Sequence, residues 1–229
     1  MLSQRLTPRI LAVDTRRKEH PRFDCKMKIT CLPPLINGPY GVYSRDSSHN
    51  YYELLITHDN YESGFQLQGL ASGNTVLYLD SYRNRDPRKN GESADGFACK
   101  EGSGEGNVLR NARLWDNVDD GLDLFMFGSP VTIEEVYAWG NGFNLWGFSN
   151  FNGDGNGYKL GITGNPPANH IVRNSMAWGN ARKGFIDKLL YEHQCDMEAP
   201  QGISGPLPIV SRKPRRSRLP RPSHFPPSP

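Results

Sequence analysis

Apolar and polar positions alternate in short runs along the middle of the chain, and the runs end alike. "YELLITHDN" closes at Asn60, "VLYLDSYRN" at Asn84, "VLRNARLWDN" at Asn117, "VTIEEVYAWGN" at Asn141 and "HIVRNSMAWGN" at Asn180. Each is a β-rich stretch finished by an aromatic residue or histidine, one spacer and an asparagine. A second, shorter element then opens on glycine: "GFQL" at Gly64, "GFAC" at Gly96, "GLDL" at Gly121, "GYKL" at Gly157 and "GFID" at Gly184. No segment of this region carries the 3.6-residue period of an amphipathic helix. The asparagines lie 24, 33, 24 and 39 residues apart, so inserts vary in length while the unit persists. A β-sandwich has no reason to repeat this pairing, whereas a solenoid built of stacked coils does. The pattern predicts an all-β chain, a parallel β-helix of about five recognisable rungs.

Stacking gives the repeat chemical content. Successive coils sit about 4.8 Å apart, so equivalent residues form columns. The recurrent asparagine suits a turn position, where its amide bonds the coil above and below. In Gly-φ-x-Leu the second and fourth residues share the inner face of a strand and x points outward to solvent. The x residue is Asp123 after Gly121 and Lys159 after Gly157. The residue before the glycine is Asp95 in one coil and Asp120 in the next, with Asp119 beside it. Three consecutive coils therefore gather Asp95, Asp119, Asp120, Asp123 and Lys159 on one lateral patch. A rival register exists, because "GFNL" at Gly142 also fits and would make Asn144 the x residue. Treating "WGFSNFNGDGN" as an insert, like "RDPRKNGESA" before Gly96, favours Gly157.

Four carboxylates that close repel one another and take up protons unless a cation sits among them. An all-oxygen site of flexible geometry suits a hard divalent ion, Ca²⁺ above all. The net charge of +3 hides this, because six basic residues crowd the tail "SRKPRRSRLPRP" and the remainder is near −3. A basic patch as a nucleic-acid footprint is unsupported for the body on that ground. No apolar run approaches a membrane span, and "MLSQRLTPRILAVDTRRKEHPRF" has no continuous apolar core of a secretion signal. The cysteines, Cys25, Cys31, Cys99 and Cys195, form no CxxC pair. A zinc site is not indicated, and two disulfides in an oxidising compartment stay open.

The same residues carry a resemblance. "ADGFACK", "DNVDDGLDLF" and "GDGNGYKLGI", with the asparagine-ending runs between them, resemble polysaccharide lyase family 9, the right-handed parallel β-helix pectate lyases. The likeness spans roughly residues 40 to 187. It implies calcium-dependent β-elimination of α-1,4-linked polygalacturonate, a pectic polysaccharide, by a monomer working outside the cell. Carried over by motif, the Ca²⁺ ligands fall on Asp95, Asp119, Asp120 and Asp123, and the Brønsted base falls on Lys159. Family members are longer, and the repeat stops after Gly184, so the expectation is a chain short of C-terminal coils. The expected organisation is an irregular segment over 1–38, the β-helix over 39–195 and a disordered Pro/Arg-rich tail over 196–229.

Two other readings remain. A β-helix glycoside hydrolase acting on pectin would use clustered aspartates with a water, but its Gly-His-Gly and Arg-Ile-Lys elements are missing here. A β-helix that binds polysaccharide or calcium without turnover fits the shortened repeat. Arg110, Arg173, Arg182 and Lys183 are equally substrate ligands or surface charges. "NGDGNGYKLGIT" matches a calcium loop at its first positions but ends on Thr163 instead of Glu, and "GSGEG" lacks the setting of a phosphate loop.

Overall fold

A computed structural model describes residues 39–161 and 168–187. The expected irregular segment over 1–38 and the Pro/Arg-rich tail lie outside the described residues, as do 188–195. Every regular element described is a strand, and every strand pairing is parallel. One sheet is made of β1 (Val42–Arg45), β3 (Phe65–Gly69), β5 (Phe97–Gly102), β7 (Leu122–Asp123), β9 (Tyr158–Lys159) and β12 (Phe185–Ile186), in that spatial order. The other runs β2 (Tyr51–His58), β4 (Thr75–Tyr82), β6 (Asn107–Trp115), β8 (Val131–Trp139) and β10 (Ile171–Arg173), with β11 (Met176–Trp178) also paired to β8. The chain alternates between the sheets coil after coil, which is a parallel β-helix. The glycine-opened elements pair in the expected register, Phe65 to Phe97 to Leu122 to Tyr158 to Phe185. Gly157 therefore opens the rung and Gly142 belongs to the insert. A sixth element, β1 after Gly41, precedes the five that the repeat marks.

The long strands are bent, and their burial shows where. In β6 the inward residues are Asn107, Leu109, Ala112 and Leu114, so the alternation slips by one position at Asn111. Asn111 has φ of 54°, and its column neighbours Leu54, Tyr78 and Glu135 have 56°, 53° and 54°. One left-handed residue within each of these long strands turns the chain between two faces and resets which side faces in.

The interior is a stack of apolar columns. Val76, Leu109 and Ile133 lie in register and are fully buried. Phe65 stacks on Phe97 with ring centres 5.6 Å apart. Each such side chain contributes roughly 1.5–3 kcal/mol by leaving water. The repeating aromatic forms an outer column, His58, Tyr82, Trp115, Trp139 and Trp178, with ring centres 4.4–5.2 Å apart and planes within 14°.

The asparagine column is continuous. The Asn84 side-chain oxygen accepts from Asn60 N at 3.2 Å and Nδ2 at 2.8 Å, and Asn117, Asn141 and Asn180 repeat the pair on the preceding coil. The same column explains the glycines. A Cβ on Gly121 would lie 2.7 Å from Gly157 O and 2.8 Å from Asn141 Nδ2, and Gly96 and Gly157 are confined alike. The asparagine and the glycine of the repeat thus require each other. A second amide column, Asn50, Asn74 and Asn107, stands at the start of the long strands. Two coils on, Val131 N donates to His170 Nδ1 at 3.2 Å, so a histidine takes the amide's part there. Cys99 is buried and unbonded, and the other three cysteines lie outside the described residues.

Candidate functional site

Asp123 and Lys159 are direct partners in the β7–β9 pairing. They stand on the outer side of the sheet, with Leu122 and Tyr158 turned inward beside them. Outward here does not mean exposed: Asp123 keeps 1 % of its surface and Lys159 8 %. The expectation that x faces open solvent is corrected on this point. The inserts over 85–94 and 142–156 rise beside the sheet and make walls, leaving a cleft of about 420 Å³ lined by Ser93, Lys100, Asp119, Asp123, Asp154 and Lys159 among others.

Asp95 and Asp120 precede glycines that pair in register, so the backbone puts them one above the other. Asp120 N donates to Asp95 Oδ1 at 3.2 Å, and Asn156 N and Nδ2 donate to Asp120 Oδ1 at 2.7 and 2.8 Å. This is a side-chain-to-backbone ladder like that of the asparagines, with carboxylates in place of amides. Asp119 is fixed from both inserts, accepting Ser93 N at 2.7 Å and Asp154 N at 2.6 Å. Asp95, Asp119 and Asp120 each bring a carboxylate oxygen within 4.8 Å of the other two.

All five predicted site residues are thus brought together, and the sequence reading missed four neighbours. Lys100 Nζ lies 2.7 Å from Asp95 Oδ2 and 3.0 Å from Asp123 Oδ2. Strand parity places it: Phe97 and Cys99 face in, so Lys100 faces out. Lys159 Nζ lies 3.1 Å from Asp154 Oδ2, 3.3 Å from Asp120 Oδ2 and 3.5 Å from Asp123 Oδ2. Asp154 and Asn156 come from the stretch that resembles a calcium loop, and there they serve the cluster instead of forming a loop site. Ser93 contributes only its backbone, which no side-chain pattern reveals. Among the arginines, Arg182 reaches Asp154 at 3.3 Å, while Arg110 pairs with Glu134 on the other sheet.

The cluster is electrostatically incomplete. Burial raises the carboxyl pKa of Asp95, and raises that of Asp119 well above its ordinary value with the charges of Asp95 and Asp120 adding to it. Burial, then Asp123 and Asp95, push Asp120 up to about 7. Burial works against the charge on Lys159 and Lys100, but the aspartates outweigh it and hold both ammoniums charged. Asp120 Oδ2 and Asp123 Oδ1 are buried without a hydrogen bond, although Lys159 lies in ion-pair range of the former. Buried carboxylate oxygens left without donors are costly. An all-oxygen donor set that raises its own pKa values fits a hard divalent cation.

Comparison with known proteins agrees with this architecture. Residues 26–188 match the sequence profile of the Pel9A-like right-handed β-helix region. Over 172 residues the chain is 63% identical to pectate lyase PEL9 of Emericella nidulans, covering 67% of this chain and 42% of that protein. It is 47% identical over 149 residues to pectate lyase L of Dickeya chrysanthemi, covering 65% of this chain and 34% of the relative. The crystal structure of pectate lyase Pel9A superposes with a TM-score of 0.59 at 44% identity, covering 66% of this chain and 37% of that one. A rhamnogalacturonan lyase superposes at 0.56 and 29% identity, covering 72% and 44%. The chain spans less than half the length of the relatives it matches.

Proposed function

The chain belongs to the Pel9A-like right-handed β-helix family, and from that premise we propose that it is a calcium-dependent pectate lyase acting on polygalacturonate outside the cell. The observation that carries the reading is the lateral cluster of Asp95, Asp119 and Asp120, to which Lys100 and Lys159 join Asp123, with the Lys159 amine one strand away from Asp123. The reaction is β-elimination. The proton at C5 of a galacturonate residue is weakly acidic because a carboxylate is attached to the same carbon. Calcium, held by the four aspartates, would supply positive charge against that carboxylate and stabilise the enolate-like charge formed on proton loss. Lys159 takes the proton, the C5–H electrons form the C4–C5 double bond, and the C4–O bond breaks with its electron pair on the oxygen of the neighbouring sugar, which takes up a proton from solvent and leaves as a hydroxyl. No water enters the products.

The residues around Lys159 divide the work. Asp123 and Asp120 aim the amine along the sheet toward the cleft, and Asp154, itself paired to Arg182, holds it from the insert side. Ser93 N and Asn156 fix two of the carboxylates, so little reorganisation is left for the moment of binding. With no cation present the cluster keeps Lys159 protonated and unfit to act as a base. Turnover therefore requires that the aspartates be engaged elsewhere.

The test is an assay on polygalacturonate with and without a chelator. Calcium-dependent growth of ultraviolet absorbance from the unsaturated product supports elimination. New reducing ends without that absorbance would indicate hydrolysis, and calcium binding without either product would indicate a non-catalytic β-helix.

A further inference from the structure

Lys100 stands in an unusual place. It is buried to 8 % exposure, and its ammonium touches two of the four carboxylates, Asp95 Oδ2 at 2.7 Å and Asp123 Oδ2 at 3.0 Å. Lys159 touches Asp123 through the same oxygen, at 3.5 Å. The two ammoniums thus approach the cluster from different strands, and between them they contact Asp95, Asp120 and Asp123. With Asp154 and its partner Arg182 counted in, five carboxylates face three cationic side chains, Lys100, Lys159 and Arg182, which leaves two uncompensated negative charges, the charge of one divalent ion. A calcium ion takes carboxylate oxygens at roughly 2.3–2.6 Å, so it needs the lone pairs of Asp95 and Asp123 to point at itself. In this arrangement one oxygen of each points at Lys100. Two oxygens of the donor set carry no hydrogen bond: Asp123 Oδ1, and Asp120 Oδ2, which has only the Lys159 ammonium at 3.3 Å.

We infer that Lys100 is a tethered competitor of the cation: it occupies two oxygens that a divalent ion would use and sets calcium affinity below what the four carboxylates alone would give. This rests on the calcium reading proposed above. The physical ground is charge and reach. A unit positive charge beside a doubly charged ion in a buried site opposes binding by a factor on the order of ten or more. A lysine stem is long enough to leave the two oxygens and swing into the cleft when the ion arrives. The consequence is a site that responds to calcium over a range of concentrations instead of holding it permanently. It also gives the ion-free protein a partial counter-charge, which limits the repulsion among the carboxylates.

The alternative is that Lys100 merely positions Asp95 and Asp123, and it predicts the opposite sign. The experiment is calorimetric titration of the chelator-stripped full chain with CaCl₂ alone, in wild type, Lys100→Met, Lys100→Gln and Lys100→Arg. Lys100→Gln keeps an amide donor for Asp95, so at least one neutral variant retains the local contact. The neutral variants should bind calcium at least about tenfold more tightly than wild type, and Lys100→Arg should stay near it because its charge persists. The melting temperature should rise more steeply with added calcium in the neutral variants. Equal or weaker calcium binding by Lys100→Gln, with wild type still binding, overturns the competitor role and leaves the calcium site standing. No binding by any of the four proteins removes the calcium reading and this inference with it.

Discussion

The asparagine column and the aspartate column come from the same operation, a side chain repeated one coil further on, yet they end in opposite states. An amide carries a donor and an acceptor. Asn84, Asn117 and Asn141 each give to one neighbour and take from the other, so repetition satisfies them. A carboxylate has only acceptors. Asp95 and Asp120 accept backbone N–H groups from the adjoining coil but still repel each other, so repetition leaves charge over. Stacking thus makes a neutral support and, at the neighbouring positions of the same turn, a charged cluster.

The comparison can be broken most severely on the supporting side. Gly121→Val should abolish folding, a loss above about 4 kcal/mol, because its side chain would run into Gly157 O and the Asn141 amide. Circular dichroism and a melting curve check it. On the binding side, Lys159→Ala should lower lyase turnover by roughly 10²–10⁴-fold while calcium still binds. Unchanged turnover would remove Lys159 from the chemistry.

His170 sharpens the contrast, since it is a titratable group placed in an amide column. Burial pushes its pKa down to about 4. The unfolded chain holds a proton on it below about 6.5 and the folded chain does not, so its stability contribution is lost as pH falls from about 6.5 toward 4. His170→Asn restores an amide, and its advantage over wild type should grow to about 2 kcal/mol by roughly pH 5. Denaturant curves of both proteins across that range measure it.

Asp120→Asn makes the reverse exchange, an amide in the carboxylate column. Without calcium it should stabilise the fold by about 1 kcal/mol through relief of repulsion, and the rise in melting temperature on adding calcium should shrink or vanish. Loss of stability in chelator would mean that the carboxylates are not in conflict. The smallest effect belongs to the bend. Tyr78 is half exposed at a φ of 53°, and Tyr78→Gly should be neutral or stabilising by up to about 1 kcal/mol, where glycine inside an ordinary strand would destabilise.

Much of this is legible in the sequence. The aromatic-spacer-asparagine signature with its following glycine fixes the coil, and the coil register brings Asp95, Asp120, Asp123 and Lys159 together. What the pattern hides is physical and local. The spacers Asp59, Arg83 and Asp116 take left-handed φ values that glycine takes at 140 and 179, so residue type does not reveal the corner. Lys100 follows from strand parity, one position beyond the Gly-φ-x-Leu unit, whereas Asp154 joins the cluster through the folding of an insert, which no repeat encodes. The depth of the cleft escapes the pattern for the same reason, since the inserts that line it beside Asp123 are the parts outside the repeat.

Those inserts connect the asparagine of one strand run to the glycine of the next, and their lengths differ while the paired strands keep step. Ser93, Asn152 and Asp154, which border the cleft, all come from them. Evolution, or an engineer, can therefore lengthen or rewrite the rim of this trough one coil at a time without disturbing the columns beneath, and a change in what the trough admits need not touch a single residue of the spine.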